Sequence, residues 1–333
     1  MKERGDALPP FKIQNSKFKI LVIKPSSLGD VVHTLPAVAL VKKHWPQARL
    51  SWLINPEWAP LLDGNPHVDE VVLFPRGQFR GVRGWARIPA WAKSIAARKA
   101  DLVLDFQGLL RSALIARLAC GGEIVGLSDA REGARHFYDR AADVRDRQHA
   151  VDRYLALVGA LGIDTSGPLE WPLPPGEPVA AVAEPGFVLL HPFSRGSGKS
   201  LTIADVAEFC RAIAPLRVVI VGRADENLAP EPNAIDLLNH TSLHELSWLI
   251  RRAAFVVSVD SGPMHIAAAL TPKLVAIHTW SDPRKVGPYR PEAWVWKDAT
   301  LTQVCRLSDP AARQPCATIA DLARCVAALV GSV

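Results

Sequence analysis

The sequence predicts an α/β protein made of two Rossmann-like domains with a cleft between them. Short apolar, β-branched runs alternate with segments of helical spacing along most of the 333 residues. A stretch with six prolines, residues 162–186, interrupts this alternation, which then restarts. Each half is therefore expected to fold around its own parallel sheet, with ligands at the carboxyl ends of the strands.

These patterns divide the chain into four expected segments. Residues 1–17 are polar and are predicted to form a flexible extension, and residues 18–165 are predicted to form the first domain. A proline-rich linker follows at 166–186, and residues 187–333 form the second domain with its closing helix.

The composition limits the class of function. Lysine and arginine outnumber aspartate and glutamate by 39 to 33, which favours anionic ligands. No window carries the dense basic stripe of a nucleic-acid footprint, so no nucleic-acid partner is expected. The N-terminus lacks the apolar core of a signal peptide, and no apolar run approaches the ~20 residues that span a bilayer. Any membrane contact is therefore predicted to be peripheral.

The five cysteines predict reduced thiols in a cytosol, because their number is odd and their spacing is scattered. Cys305, Cys316 and Cys325 lack the short hooks of a zinc site, and we interpret them as buried thiols.

The first half opens with a strand at 20–23, a turn of small residues and a helix. The start of this helix stays open between Asp30, with Pro36 as a kink, and Thr34, with Pro36 in the first turn. Further strands are predicted at 50–54, 68–74, 101–105 and 123–127, and further helices at 109–119 and 149–161.

Asp30 lies at the mouth of this first strand–turn–helix unit, where Gly29 allows the backbone to bend. A carboxylate here can cap the following helix by accepting its free N–H groups. It can also take a proton from a substrate hydroxyl. The pattern alone leaves both roles open.

Residues 76–99 carry basic side chains interleaved with Phe79, Trp85 and Trp91. Two interpretations remain open for this stretch. It is either a solvated helical surface or a surface that meets an anionic acceptor or lipid headgroups. The basic residues are Arg76, Arg80, Arg83, Arg87, Lys93, Arg98 and Lys99.

The second half repeats the alternation of strands and helices. Thr202 and Asp205 resemble a helix-capping pair. Strands are predicted at 187–191, 217–221, 254–259 and 273–278, with helices within 201–213 and at 243–252, 263–270 and 319–330.

Residues 258–270 form a second strand–turn–helix unit with polar residues at its turn. The strand is predicted to end at Asp260, and the N–H groups of Ser261 and Gly262 offer a phosphate site at the helix N-terminus. His265 follows on the first helical turn. Each residue alone has a structural explanation, as a cap or a core histidine, but their combination at a strand end favours a functional site.

The loop 192–200 resembles a P-loop but fails its spacing, because Phe193 stands where the first glycine is required. Arg195 and Lys199 can still hold phosphate, although an exposed flexible loop is the alternative. The sequence has no G-x-G-x-x-G and no D-x-D pair, so we expect a site without cofactor and without metal.

Five stretches, in their order along the chain, resemble glycosyltransferase family 9, the ADP-heptose lipopolysaccharide heptosyltransferases of Gram-negative bacteria. They are KPSSLGDVVHTLPA, DFQGLLRSAL, AREGARHFY, an HPF…K loop and SVDSGPMHIAAAL. The resemblance spans about 18–289 and is strongest to enzymes that add the first heptose to the inner-core Kdo of lipid A–Kdo. It implies the GT-B fold, with the acceptor on the first domain, the nucleotide sugar on the second, and an inverting, metal-independent reaction.

Carried over residue by residue, the resemblance implies that Asp30 is the general base. Lys199 would bind the diphosphate and Glu226 the ribose, while Arg131 and Arg135 would face the acidic sugars of the acceptor. The other implied donor-site residues are Ser26, Ser27, Ser194, Asp260, Ser261, Gly262 and His265.

The resemblance also implies the partners and the location. The donor would be ADP-heptose, the acceptor a lipid A–Kdo type molecule, and the enzyme a monomer in peripheral contact with the anionic cytoplasmic face of the inner membrane. The alternatives are a member of the same family that acts on a later core heptose or on a protein. A P-loop-like phosphotransferase or a non-catalytic nucleotide-sugar-binding protein remain as alternatives from other classes.

Overall fold

The computed structural model describes residues 18–147, 149–196, 198–225 and 227–331. The chain divides into two compact units between Pro172 and Leu173. This division falls inside the stretch 166–186 that the sequence predicts as a linker. The extension predicted at 1–17 lies outside the described residues.

The first unit is built on a sheet of six strands, all paired in parallel. The strands are β1 Lys19–Ile23, β2 Arg49–Ile54, β3 Glu70–Leu73, β4 Ala100–Asp105, β5 Cys120–Leu127 and β6 Arg140–Ala142. Their order is β3-β2-β1-β4-β5-β6, so β1 is flanked on both sides. At its carboxyl end, Ile23 pairs with Leu53 of β2 and Asp105 of β4.

The helices of the first unit follow the predicted β–α rhythm. They are α1 Leu28–His44, α2 Gly81–Trp85, α3 Ile88–Ala96, α4 Leu110–Ala119 and α5 Ala150–Gly159, with 3-10 turns at Ala59–Leu62, Arg76–Phe79 and Ala134–Phe137. Apolar side chains of the sheet and of α4 form a buried core, which includes Leu21, Ile23, Val103, Ile115 and Ile124.

Of the two predicted starts of α1, the one at Asp30 is close to the structure, because the helix begins two residues earlier and contains Pro36. The helix begins at Leu28 with Ser27 as its N-cap, so the predicted cap at Thr34 is wrong and Pro36 lies inside the helix. The physical reason is a capping box: Ser27 donates its backbone N–H to the Asp30 carboxylate at 3.1 Å and its hydroxyl at 2.9 Å. Thr34 instead donates its hydroxyl to the carbonyl of Asp30.

The second unit contains a sheet of eight strands. They are β7 Val188–His191, β8 Val218–Ile220, β9 Ala234–Asp236, β10 Phe255–Val259, β11 Leu274–Ile277, β12 Trp294–Lys297, β13 Thr300–Gln303 and β14 Gln314–Pro315. Their order in the sheet is β14-β13-β12-β11-β10-β7-β8-β9. The pairs from β12 to β13 and from β13 to β14 are antiparallel, and the other pairs are parallel. β6, β9 and β12 to β14 were not predicted from the sequence.

The helices of the second unit confirm the predicted capping pair. Thr202 donates its N–H to the Asp205 carboxylate at 2.8 Å, and Asp205 donates its N–H to the Thr202 hydroxyl at 3.1 Å. The helices are α6 Ile203–Ile213, α7 Leu243–Arg252, α8 Gly262–Leu270, α9 Pro283–Val286 and α10 Ile319–Gly331, with 3-10 turns at Val304–Arg306 and Pro310–Ala312. Side chains of α6 and α10 pack in one core with the sheet.

The basic segment, residues 76–99, forms the second 3-10 turn and the helices α2 and α3. Its aromatic residues divide into two groups. Phe79 and Trp91 pack against Phe74, whereas Trp85 is 64% exposed and the neighbouring Val82 is 81% exposed. Across the described ranges, no helix combines the length and the apolarity that a bilayer crossing requires.

Candidate active site

Asp30 lies in the first turn of α1, and the segment that joins β1 to α1 lies beside the turn after β4. The Lys24 ammonium donates to the carbonyl of Phe106 at 3.1 Å, and the Ser26 N–H donates to the Gln107 side chain at 3.4 Å. From β1 the chain crosses to β2 on one side, and from β4 it crosses to β5 on the other. Asp30 is therefore at the topological switch point of the sheet, where parallel α/β domains bind their ligands.

The carboxylate of Asp30 is held by hydrogen bonds from both sides and is still 37% exposed. Its Oδ2 accepts the two hydrogen bonds from Ser27, and its Oδ1 accepts the Tyr154 hydroxyl at 3.2 Å. Lys24 Nζ lies 3.8 Å from Oδ1. Asp30 thus fills the structural role of a cap and remains reachable from solvent, so the two roles that the sequence left open are compatible.

The surroundings favour the ionised form of Asp30. Burial acts to raise its pKa, but the charge of Lys24 and the hydrogen bonds from Ser27 and Tyr154 outweigh burial and hold the pKa below its ordinary value. Burial lowers the pKa of Lys24, while the charges of Asp30 and Asp105 oppose that shift. At neutral pH, Asp30 is therefore a carboxylate that can receive a proton.

The predicted acceptor arginines lie at the same edge of the first sheet. The N–H of Arg131, which follows β5, donates to the carbonyl of Gly108, which follows β4, at 2.8 Å. Arg135 lies in the next 3-10 turn, and both side chains are exposed. Because β1, β4 and β5 are consecutive in the sheet, these turns and the Asp30 turn share one edge.

In the second unit, Lys199 and Asp260 form an ion pair at 2.7 Å. Asp260 follows β10 and is buried, and it also accepts the Ser281 hydroxyl at 2.7 Å. Ser281 Oγ lies 2.9 Å from Nδ1 of the buried His278. Lys199 also lies over the ring of the exposed Trp280, 4.9 Å from its centroid. The adjacent strands β7, β10 and β11 thus bring these side chains together at their carboxyl ends.

The other predicted donor residues divide between the two units. Ser261 is the N-cap of α8, Gly262 is its first residue, and His265 is 9% exposed on its first turn. Ser194 donates its N–H to the Ser200 hydroxyl within the loop after β7. Ser26 and Ser27, by contrast, belong to the Asp30 turn of the first unit, and Glu226 lies outside the described residues.

The charged part of this cluster is the ion pair of Lys199 and Asp260. Burial acts to raise the pKa of Asp260, but hydrogen bonds from Lys199 and Ser281 outweigh burial and hold the pKa below its ordinary value. Burial lowers the pKa of His278 to about 4, and that of His191 to about 4 as well. Both histidines are therefore neutral at pH 7 and serve as hydrogen-bonding groups.

The cysteine prediction is correct for Cys316 and wrong for Cys305. Cys316 is buried, and burial raises its pKa to about 12, which keeps the thiol protonated. Cys305 is exposed because it lies in the surface turn Val304–Arg306, and Cys325 is half-buried. Within the described ranges, no three or more His, Cys, Asp and Glu side chains form a group that could hold a metal ion.

Sequence reasoning missed Lys24 and Tyr154 around Asp30, and Ser281 and His278 around Asp260. Tyr154 is 124 residues from Asp30 along the chain, and no motif joins them. The sequence does carry a signal for the cap formed by Ser27 and Asp30, because their spacing equals that of the capping pair Thr202 and Asp205.

The family and the relatives of this chain come from comparisons with known proteins. The model of the family described as glycosyltransferase family 9 (heptosyltransferase) matches residues 88–309. Lipopolysaccharide heptosyltransferase 1 of Salmonella typhimurium is 31% identical over 298 residues, which cover 81% of this chain and 91% of that protein. The corresponding protein of Escherichia coli K12 is 28% identical over 299 residues, covering 81% and 91%.

Solved structures share the fold. The E. coli heptosyltransferase WaaC with ADP superposes with a TM-score of 0.74 at 24% identity, covering 95% of this chain and 99% of that one. E. coli ADP-heptose LPS heptosyltransferase II gives 0.71 at 23% identity, with the same coverage. The predicted α/β class with two Rossmann-like sheets is confirmed, and the fold is that of the GT-B class.

Proposed function

This chain belongs to glycosyltransferase family 9, the heptosyltransferases, and from that premise we propose that it transfers L-glycero-D-manno-heptose from ADP-heptose to the Kdo of an inner-core acceptor of the lipid A–Kdo type. The observation that supports this most is Asp30, an ionised and accessible carboxylate at the switch point of the first sheet. The most similar relatives named above are heptosyltransferases 1, which favours the first transfer step over the later ones.

The proposed reaction is an inverting displacement. A hydroxyl oxygen of the acceptor attacks the anomeric carbon of heptose, the bond from that carbon to the diphosphate oxygen breaks, and the hydroxyl proton passes to Asp30. ADP leaves with its added negative charge on the diphosphate. Lys199 and the N–H groups at the start of α8 would stabilise this charge as it develops. Asp260 and His265 would bind the heptose, and Glu226 the ribose.

The phosphotransferase alternative loses its basis. In a P-loop, the lysine lies at the start of the helix that follows the glycine-rich turn. Here α6 begins at Ile203 with Thr202 as its cap, so Lys199 precedes the helix. Two other acceptors, a later core heptose and a protein, remain as alternatives to lipid A–Kdo.

The test is a transfer assay with a lipid A–Kdo type acceptor. We expect turnover with ADP-heptose, none with ATP or UDP-sugars, and an unchanged rate in excess EDTA, because Lys199 and backbone N–H groups carry the leaving-group charge. A rate that collapses in EDTA and returns with magnesium or manganese would contradict the metal-independent site. If turnover occurred only with a core oligosaccharide that already carries heptose, the enzyme would catalyse a later step of core assembly.

A second prediction concerns Arg131 and Arg135, which we propose bind the acidic sugars of the acceptor through paired N–H donors. Replacing both by glutamate should raise the acceptor KM by about tenfold or more while the affinity for ADP stays unchanged. Arg145→Glu, at another exposed arginine of the first unit, is the matched control. Loss of ADP binding in the Arg131 and Arg135 variant would show that acceptor and donor have been assigned to the wrong units.

A third prediction concerns membrane contact, which we propose is peripheral and on the cytoplasmic face of the inner membrane. Arg80, Arg83 and Arg87 are exposed, and they flank the exposed Val82 and Trp85. Such a basic and apolar surface suits anionic headgroups. Replacing the three arginines by glutamate should weaken binding to anionic vesicles, and the loss should be larger at low salt.

The control for the vesicle experiment reverses an equal charge elsewhere. Arg284, Arg306 and Arg324 are exposed arginines of the second unit that form surface ion pairs. Their replacement by glutamate should leave vesicle binding closer to that of the unaltered protein. If both variants lost the same amount of vesicle binding, the loss would come from the change in net charge alone. The basic segment would then be an ordinary solvated surface.

A further inference from the structure

Asp30 presents two oxygens that differ in their surroundings. Oδ2 accepts both the N–H and the hydroxyl of Ser27, which occupy the two lone pairs of that oxygen. Oδ1 accepts one hydrogen bond, from the Tyr154 hydroxyl at 3.2 Å, and Lys24 Nζ at 3.8 Å is beyond hydrogen-bond distance. Among the described contacts, Oδ1 therefore keeps a lone pair that a substrate hydroxyl can use.

Tyr154 is held rigidly where it meets this oxygen. It lies on α5, is 4% exposed, and its ring packs edge-on against Phe106 with 5.5 Å between the ring centroids. The Lys24 ammonium lies over the Tyr154 ring, 5.0 Å from its centroid, and donates a hydrogen bond to the carbonyl of Phe106. Burial and the charge of Asp30 raise the pKa of Tyr154 well above its ordinary value, so its hydroxyl is a donor.

We propose that Tyr154 is a positioning residue for the proton transfer: its hydroxyl fixes Oδ1 of Asp30 so that the remaining lone pair of this oxygen receives the proton of the acceptor hydroxyl. Lys24, over the face of the tyrosine ring, supports the same arrangement. This inference rests on the proposed function, because it assigns a role to Tyr154 only if Asp30 is the base.

The test is Tyr154→Phe, which keeps the ring and its packing and removes only the hydroxyl. We expect kcat to fall by about 10-fold to 100-fold, since a hydrogen bond to a charged group is lost, while ADP affinity is unchanged. Losing this donor also raises the pKa of Asp30. The acid limb of kcat/KM, where activity disappears as Asp30 becomes protonated, should therefore move to higher pH.

Other charged groups near this cluster are Lys24, Arg153, Asp105 and Asp129. Tyr154→Phe leaves all four in place, so a shift of the acid limb reports the lost hydroxyl.

The matched control is Tyr138→Phe, because Tyr138 is a buried tyrosine of the same unit that donates to a buried aspartate, Asp105, at 2.7 Å. It should lower the unfolding temperature and move the acid limb less than Tyr154→Phe does, because Tyr138 donates to Asp105 and not to Asp30.

A double-mutant cycle with Asp30→Asn separates positioning from a general loss of structure. If Tyr154 acts through Asp30, Tyr154→Phe should have almost no further effect on kcat once Asp30 is asparagine. An equal loss in both backgrounds, or an acid limb that stays in place, would overturn the inference while leaving the proposed function intact. Absence of heptosyl transfer by the unaltered protein would instead remove the proposed function itself.

Discussion

Asp30→Asn is expected to lower kcat by a factor of about 10²–10⁴, the range for loss of a general base. The asparagine has nearly the same shape and keeps an oxygen that can accept the hydrogen bonds of Ser27, so α1 should keep its cap. What it lacks is the negative charge and the basicity that take the proton of the attacking hydroxyl. Steady-state transfer rates with saturating donor and acceptor give kcat directly.

Because Asp30 also caps α1, the control should be an aspartate that caps a helix but has no proposed part in proton transfer. Asp205 is such a residue, because it is the N3 residue of α6 and forms its capping box with Thr202. Asp205→Asn should show a comparable, small loss of unfolding temperature and a nearly normal kcat. Titration calorimetry should give the same ADP affinity for both variants. If Asp30→Asn also kept a nearly normal kcat, Asp30 would be a helix cap and nothing more.

Lys199→Ala is expected to produce the second large effect, a loss of about 10²–10³ in kcat/KM together with weaker ADP binding. A cation on the diphosphate acts in the ground state and more strongly in the transition state, because negative charge increases on the leaving group. Titration calorimetry with ADP and the transfer rate measure the two contributions separately. Unchanged affinity and an unchanged rate would contradict any role of the loop 192–200 in donor binding.

The ion pair with Asp260 adds a structural effect to this substitution. Without Lys199, a buried carboxylate loses a partner and its pKa rises. The pair stabilises the fold at neutral pH, and this contribution disappears as the pH falls through the depressed folded-state pKa of Asp260. Lys42→Ala is the matched control, since Lys42 and Asp69 form an ion pair at the same 2.7 Å in the first unit.

Most of the parallel strands and most helices were predictable because their local patterns agree with their final environment. The run at β1 is apolar and lies in the middle of a sheet, and the pair Thr202 and Asp205 caps α6 as its spacing predicts. The start of α1 stayed open between two positions because Thr34 and Pro36 imitate a helix start. The shorter spacing signal of Ser27 and Asp30 decides the fold there.

The antiparallel extension of the second sheet could not be recognised from the sequence. β12 and β13 are joined by Asp298 and Ala299, both with positive φ, as a two-residue hairpin turn requires. An alanine in such a position gives no turn signal, because asparagine and glycine are the residues that adopt this conformation readily. Tertiary pairing imposes the turn here.

The sites divide along the same line. Motifs in continuous sequence predicted Asp30, Lys199 and Asp260 as site residues, because each follows a strand in a recognisable turn. The groups that hold these residues, Tyr154 for Asp30 and Ser281 for Asp260, come from other elements and have no local signal. Sequence therefore indicates where charge is placed, whereas only the fold shows what keeps it in position.

The strand order of the first sheet has a consequence for how such an enzyme can diverge. The turn of Asp30 follows β1, which has neighbours on both sides, and changes there would disturb several hydrogen-bonded turns at once. The basic segment follows β3, at the edge of the sheet, where substitutions meet fewer constraints. We therefore expect the basic segment, proposed above to meet lipid, to vary more between descendants of one ancestor than the turn that holds Asp30, the proposed base.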